Sequence, residues 1–381
     1  MQENLKSNQE SINLNNEIIR KKAANKKMKI LNFIFIIAVF TGLAIYMIYI
    51  DGMDNIIELL HSVDYKWVLA GVGCLLVHWL CDSLNLYIPI KRMYPTQTFK
   101  NSFKVAMIGQ LFNNITPFAT GGQPMQAYEL TKTGKKVSDS LSAMIIKFIV
   151  TQIALVSCTI VVALFQLEFF KRLIRDYLFI AVLGFSVNII AIVLAILIGI
   201  KKQIIIKIVT PIIKFLGRIH ILKNPEETLQ KVIDGIENFS EQFIVMKSEK
   251  KMVIKMFLVA IVQSFAYYSI TYMIYRAFGN SGITIWQIIP IQAFLLLIMM
   301  FVPTPGSGLG AEGGFYLLFN SVFKEGTINM SILFWRIYTF YLPILVGALF
   351  LIPTKNKDNK GKWIWIIKFL LRENNYYKKY W

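Results

Sequence analysis

The chain has 381 residues, of which 55% are hydrophobic, 14% aromatic and only 17% charged, and its mean hydropathy is +0.53. Soluble domains carry about 25% charged residues, and long apolar stretches recur here along the whole chain, which excludes a pair of soluble domains and predicts an all-α polytopic membrane protein. The formal charge of +19 comes from 41 Lys and Arg against 22 Asp and Glu; with this hydropathy the basic residues read as cytoplasmic flanks of membrane spans, and no nucleic-acid partner is expected.

Residues 1–29 form a basic leader with seven Lys or Arg and three Glu. The first apolar stretch, Ile30 to Ile50, is long enough to span, and no cleavable signal peptide is evident. A second span runs from about Lys66 to Ile90. A third apolar region, about Phe99 to Leu130, is broken in its middle. Spans follow at Ser138 to Leu167 and Tyr177 to Ile200. Residues 201–251 are polar and patterned as short amphipathic helices. A further span covers about Met252 to Tyr275, a second broken region Ile285 to Phe323, and a last span Met330 to Ile352. A single transmembrane domain over 30–352 is therefore expected. The tail, 353–381, mixes Lys with Trp and Tyr, and its segment Lys362 to Leu370 suits the membrane interface. Cys74, Cys81 and Cys158 sit in apolar stretches and form neither a disulfide framework nor a thiolate metal cluster.

Charge sets the orientation. Residues 51–65 hold four acids and no Lys or Arg, whereas 91–104 hold Lys91, Arg92, Lys100 and Lys104 and no acid. The positive-inside rule then places both termini and 201–251 in the cytoplasm. The loop 168–176, with three basic residues on the outer side, is the one dissent. Lys91/Arg92 and Lys132/Lys135/Lys136 must both be inside, so the region 99–130 enters and leaves on the cytoplasmic face. Arg276 lies outside and Met330 begins a span heading inward, so 285–323 does the reverse. The prediction is six full spans plus two opposed re-entrant helical hairpins, with eight full spans as the alternative.

The first break is the segment Asn113-Asn114-Ile115-Thr116-Pro117-Phe118-Ala119-Thr120-Gly121-Gly122-Gln123-Pro124. The second runs from Phe301 through Pro303, Pro305, Gly306, Ser307, Gly308 and Gly310. Pro removes a donor and clashes with the preceding turn, and Gly permits close backbone approach, so each break ends one helix and allows another to restart. Pro124 is expected where the new helix begins. Unpaired backbone at membrane depth must be covered by protein or line a polar cavity. A restarted helix also presents free N–H groups and a positive dipole end to an anion such as a lipid phosphate. Asn113, Asn114, Thr116, Thr120, Gln123 and Ser307 add polar groups to such a cavity. The similar grammar of the breaks suggests inverted repeats, as in secondary transporters.

Charges inside spans are costly, so each needs a partner or a function. Asp82, Glu129 and Lys147 fall together in the cytoplasmic half. Glu312 and Arg336 form a second group in the outer half, either as an ion pair or as a headgroup site, and Glu312 is also placed to cap its helix. His78, in an apolar span, reads as a packed polar residue. No spacing resembles a metal site, a nucleotide phosphate loop or a Ser/His/Asp triad, and no cofactor is expected.

The string Phe112-Asn113-Asn114-Ile115-Thr116-Pro117, followed by Gly121-Gly122-Gln123-Pro124-Met125-Gln126, resembles the first signature of the lysylphosphatidylglycerol synthase transmembrane (flippase-like) family. Pro303-Thr304-Pro305-Gly306-Ser307-Gly308-Leu309-Gly310-Ala311-Glu312 resembles its second, with Ser307 in place of a glycine. Phe334-Trp335-Arg336 resembles the family's Arg-bearing last span. The resemblance covers roughly residues 30–352. It implies a multi-pass protein of the bacterial cytoplasmic membrane whose best-known relatives move aminoacylated phosphatidylglycerol, such as lysyl-phosphatidylglycerol, to the outer leaflet, a step tied to antimicrobial-peptide resistance. In those relatives a separate C-terminal domain makes the lipid. The 29 residues after the last span here are too few for such a domain, so a translocase and not a lysyltransferase is expected.

In this reading Asn113, Asn114, Thr116, Thr120, Gly121, Gly122, Gln123, Ser307 and Gly308 hold the headgroup at the breaks. Asp82, Glu129 and Glu312 favour a cationic headgroup, and Lys147 and Arg336 engage phosphate. The partners implied are membrane phospholipids, a second copy of the chain and a separate lipid synthase. The alternatives are a polyprenyl-phosphate or glycolipid translocase, a membrane-embedded headgroup enzyme, and a partner subunit of that synthase.

Overall fold

In the computed structural model the described residues are 63–165, 196–219, 224–299, 308–324 and 326–351, with positions 41, 57, 61, 186, 189, 190, 193 and 194 in addition. The expected leader and tail, all of the expected first span but position 41, most of the span at Tyr177 to Ile200, and residues 301–307 of the second break lie outside them.

Helix α1 (Tyr65–Met93) starts where the Asp64 carboxylate accepts the Lys66 N–H at 3.0 Å. It ends after Lys91 and Arg92, whose charge suits the negative dipole end, and Tyr94 turns extended ahead of Pro95. Helix α2 (Phe99–Ile115) is capped by Thr98, whose side chain accepts the Asn101 N–H at 3.3 Å. It stops at Thr116, where ψ of 144° is extended, as expected before a proline. A tight turn, in which the Ala119 N–H donates to the Thr116 carbonyl at 3.2 Å, leads towards α3 (Gly122–Thr131). The new helix thus starts at Gly122 and not at Pro124 as expected. Pro124 is its third residue, still within the first turn, where no intrahelical partner awaits the N–H.

Helices α2 and α3 form an antiparallel hairpin. The Gly122 N–H donates to Asn113 Oδ1 at 3.0 Å, and one turn further from the break Gly109 lies so close to Gln126 that a Cβ there would overlap the Gln126 side chain. The remaining helices are α4 (Val137–Phe165), α5 (Lys202–Arg218), α6 (Pro225–Ser248), α7 (Lys250–Ala277), α8 (Ile285–Met299), α9 (Gly308–Phe319), α10 (Ile328–Arg336) and α11 (Leu342–Leu351). A π-helical turn, Ile337–Tyr341, joins α10 to α11.

Four of the described helices are long and apolar enough to cross a bilayer: Tyr65–Met93, Val137–Val161, Lys250–Ala277 and the continuous Ile328–Leu351. With the further apolar helices this is an all-α, multi-pass membrane protein. Helices α1 and α7 make the most extensive pair, and α4 packs on α7. In lipid the packing must come from close contact, not from expelling water. Gly347 of α11 accordingly meets α2 so tightly that a Cβ would stand 2.5 Å from the Met107 carbonyl oxygen. An aromatic cluster fills the space between α7, α9 and α10, with ring centroids of Phe315 and Trp335 5.2 Å apart and those of Tyr275 and Phe323 5.5 Å apart.

Side-chain ties identify the two ends of the bundle. At one end Arg92 bonds Glu249 at 2.7 Å and the Tyr94 hydroxyl donates to Asp139 at 2.5 Å, joining the α1–α2 loop to the starts of α7 and α4. At the other end the Asp64 N–H donates to the Ala277 carbonyl at 3.0 Å and the Lys324 N–H to Asn280 Oδ1 at 2.9 Å, joining the start of α1 and the segment after α9 to the end of α7. The α2–α3 hairpin therefore opens at the Arg92 end, while α8 begins and α9 finishes near the opposite one.

Candidate functional site

The first break is built from its own polar groups. The Thr116 hydroxyl donates to the Phe112 carbonyl at 2.6 Å and accepts the Gly121 N–H at 2.9 Å, so it closes α2 and steers the chain into α3. Phe118 and Ala119 take φ of 55° and 53°, a left-handed backbone that costs non-glycine residues about 1–2 kcal/mol each. Non-glycine residues in this region are found where the surrounding structure forces them, often at functional sites. Asn114 donates to the Gln110 carbonyl at 2.9 Å, which leaves the Asn113 and Gln110 side chains at the tip of the hairpin.

Two polar cavities meet at that tip. One, of about 230 Å³, is lined by Gln110, Asn113, Asn114 and Ala119 from the hairpin, His78 and Trp79 from α1, Tyr267 from α7, Met299 from α8, and Arg336, Tyr338 and Thr339 from the last span. The other, of about 210 Å³, is lined by the same Gln110 and Asn113 together with Gln123 and Gln126 of α3, Asp82 of α1, and Met144, Lys147, Phe148 and Thr151 of α4. The Gln110 and Asn113 side chains are thus the wall common to both.

Each cavity borders one acid–base pair. In the second, Lys147 Nζ lies 2.6 Å from Asp82 Oδ1, with both side chains largely buried. Asp82 also accepts from Gln263 Nε2 at 3.2 Å and, more weakly, from Gln110 Nε2 at 3.5 Å. Gln263 in turn accepts from Asn85 at 3.1 Å, and its carbonyl faces His78 Nδ1 at 3.3 Å. A buried carboxylate surrounded by this many donors stays paired in the apolar phase. In the first cavity Arg336 Nε lies 3.4 Å from Glu312 Oε1, and the guanidinium sits 5.3 Å from the Phe340 ring and 5.6 Å from the Trp335 ring. The Arg336 side chain is 6% exposed and that of Glu312 35%, so the arginine is held inside while the carboxylate reaches outward.

The π turn shapes this wall. Thr339 donates to the Trp335 carbonyl at 2.8 Å, and the Tyr338 hydroxyl reaches the Val68 carbonyl of α1 at 2.8 Å. The wider turn inserts one residue into the helical repeat, which brings Arg336, Tyr338 and Thr339 to one cavity.

Of the predicted residues, Asp82, Lys147, Asn113 and Gln123 come together at the second cavity, and Asn113, Asn114 and Arg336 at the first. Glu312 joins through Arg336 as an ion pair. The expected group of Asp82, Glu129 and Lys147 divides. Glu129 pairs with Lys132, one turn along its own helix, and that ammonium lies 3.9 Å above the Tyr128 ring. The reason is geometric: the helix places Glu129 towards the α3 end, near the basic loop, and not towards the cavity. Thr116, Gly121 and Gly122 serve as the hinge, and Thr120 is exposed and lines neither cavity. Gly308 and Gly310 lie at the start of α9, whereas Pro303, Pro305, Gly306 and Ser307 lie outside the described residues. Gln110, Gln126, Gln263, Tyr267 and Thr339 were not anticipated. Gln110 and Gln126 had a signal, since each lies three residues from Asn113 or Gln123 and so shares its helix face.

The sequence matches the family described as the lysylphosphatidylglycerol synthase TM region over residues 33–347, a stretch that includes both proline- and glycine-rich breaks and Arg336. The chain belongs to this family. The family is defined on a transmembrane region and not on a catalytic domain. The chain is also 27% identical to a UPF0104 membrane protein of Methanocaldococcus jannaschii, over 87% of this chain and 96% of that one. A UPF0104 membrane protein of Methanothermobacter thermautotrophicus is 26% identical over 72% of this chain and 81% of its own, and one of Archaeoglobus fulgidus 22% identical over 74% and 86%. Among the described residues no group of three or more His, Cys, Asp or Glu is placed to hold a metal ion.

Proposed function

We propose that the protein translocates a phospholipid across the cell membrane, with a headgroup that carries a cation beside its phosphate, as lysyl-phosphatidylglycerol does. One observation carries the reading: two polar cavities meet at Gln110 and Asn113 in a membrane-spanning bundle, each beside an acid–base pair. A headgroup with both signs of charge meets complementary groups on either side of that wall, while its acyl chains stay in lipid. Arg336 suits phosphate because its planar fork holds two oxygens. Asp82 and Glu312 suit the cation. No covalent step is required.

The topology that goes with this function is two re-entrant hairpins of opposite sense with both termini cytoplasmic. Helices α2 and α3, of 17 and 10 residues, rise about 25 and 15 Å, and α8 and α9, of 15 and 12, about 22 and 18 Å. Helices α2 and α3, and α8 and α9 as far as they are described, fall short of the roughly 30 Å hydrocarbon layer. The ties at the two ends of the bundle support opposite entry faces, and the Arg92 end, rich in Lys and Arg, is the cytoplasmic one.

Proteoliposomes with a fluorescent headgroup-matched lipid test the function. Dithionite, which bleaches only the outer leaflet, should remove nearly all the signal when the protein is present and about half when it is absent. Bleaching that stops at half with folded protein, for cationic, anionic and zwitterionic headgroups alike, refutes the proposal.

A further inference from the structure

Helix α5 (Lys202–Arg218) lies apart from both cavities. Its 17 residues rise about 25 Å, and Lys207 and Lys214 interrupt its body, so it does not cross the hydrocarbon. Ile205 and Ile213 are buried, and α5 packs on α6. At its start Lys202 pairs with Glu237 of α6 at 3.5 Å.

A second apolar stripe on the same helix has no such cover among the described residues. Ile204, Ile208, Ile212 and Phe215 follow one another at helical spacing and are 51%, 53%, 52% and 58% exposed. Four such residues in a line form a patch that water does not tolerate cheaply. On the helical wheel Lys207, Lys214 and Arg218 run along the flank of this stripe that α6 does not occupy. Residues 201–218 hold five Lys or Arg and no Asp or Glu.

We propose that α5 lies along the membrane surface, with this stripe sunk into the acyl boundary and its lysines and arginine engaging an anionic phospholipid leaflet. An apolar face bordered by cations and free of acids is the pattern that such a leaflet matches. A neutral protein partner explains the stripe but not the one-signed flank. The helix is continuous with a bundle already in the membrane, so the surface it needs is adjacent. Through α6, whose Phe239 and Phe243 pack in one cluster with Ile146, Ile149 and Val150 of α4, this contact ties the leaflet to the helix that carries Lys147. The proposal does not depend on the translocation reading.

The test uses the full chain with Cys74, Cys81 and Cys158 replaced by Ala and a nitroxide at Ile208, Ile212 or, as control, Gln203. In vesicles of phosphatidylcholine and phosphatidylglycerol at three to one, Ile208 and Ile212 should be more accessible to oxygen than to a water-soluble nickel complex, and Gln203 the reverse. Labels at Ile208 and Ile212 that are open to nickel, or shielded from both reagents by protein, overturn the interfacial placement. The anionic preference is read on unlabelled wild-type protein, which does not require the cysteine-free background. Each surface cation favours an anionic leaflet about fivefold. The ratio of phosphatidylglycerol to phosphatidylcholine retained after extraction from the same vesicles should therefore exceed the bulk one to three several-fold, and Lys207→Gln/Lys214→Gln/Arg218→Gln should bring it back towards that ratio. Equal retention by the two proteins refutes the preference for anionic lipid.

Discussion

Neutralising Lys147 alone, by Lys147→Gln, should destabilise the fold far more than neutralising it together with Asp82. The pair is closed at 2.6 Å with both side chains largely buried, and removing one partner of such a pair costs about 3–5 kcal/mol because the other charge is left uncompensated. Asp82 retains the Gln263 donor at 3.2 Å and the weak Gln110 contact at 3.5 Å, which places Lys147→Gln at the low end, about 3 kcal/mol, or roughly two decades in the folded ratio. Asp82→Asn leaves an ammonium facing a carbonyl and should cost about 4 kcal/mol. The double variant leaves no charge at this site and keeps a hydrogen bond, so about 1 kcal/mol is expected. Unfolding in detergent closes this cycle, and a coupling energy near zero would refute the view that the two charges hold each other. Translocation by the double variant then separates structure from function. If the pair is a headgroup station, the double variant folds and transports poorly. If transport returns with folding, the pair is only a strut and the second cavity is not on the path.

Single cysteines at Lys135 and Lys324 should label from opposite faces of oriented vesicles, and labelling from one face refutes the opposed hairpins. Ala119→Gly should stabilise the protein by up to about 1 kcal/mol in thermal unfolding, since φ of 53° suits glycine better than alanine even after the entropic cost; a loss of stability would show that this backbone is not strained. Tyr94 lies in the loop after α1, where burial and donation to Asp139 push its pKa above the usual 10. A raised folded value gives stability that is full below pH 10 and lost as the pH climbs through it. Tyr94→Phe should therefore cost about 1–2 kcal/mol at neutral pH and show a shallower decline above pH 10, and parallel pH profiles for the two proteins would refute that linkage.

Hydropathy alone determined that this chain is an all-α membrane protein, because burial in lipid demands long apolar helices whatever their arrangement. The spans at Tyr65–Met93, Lys250–Ala277 and Ile328–Leu351 were legible to within a few residues for that reason. The break at Asn113 to Pro124 was equally legible, since proline and glycine act on their own backbone and need no tertiary partner. Pairing was not legible in the same way. Asp82, Glu129 and Lys147 share a depth, and depth is all that helical rise provides; which of them meet depends on how each helix is rotated about its axis. A local i,i+3 contact took Glu129 to Lys132, and tertiary packing brought Asp82 to Lys147. Glu312 and Arg336 were within reach by depth, and their contact at 3.4 Å was decided by the packing of α9 against α10. The π turn after Arg336 has no local sequence cue, and the two cavities that share Gln110 and Asn113 of α2 are closed by α1, α4, α7, α8 and the last span, far apart in the chain. Local rules set where each helix starts and stops; the rotation of helices against one another, fixed by close contacts such as Gly347 on Met107 and Gly109 on Gln126, set which polar groups face the same cavity.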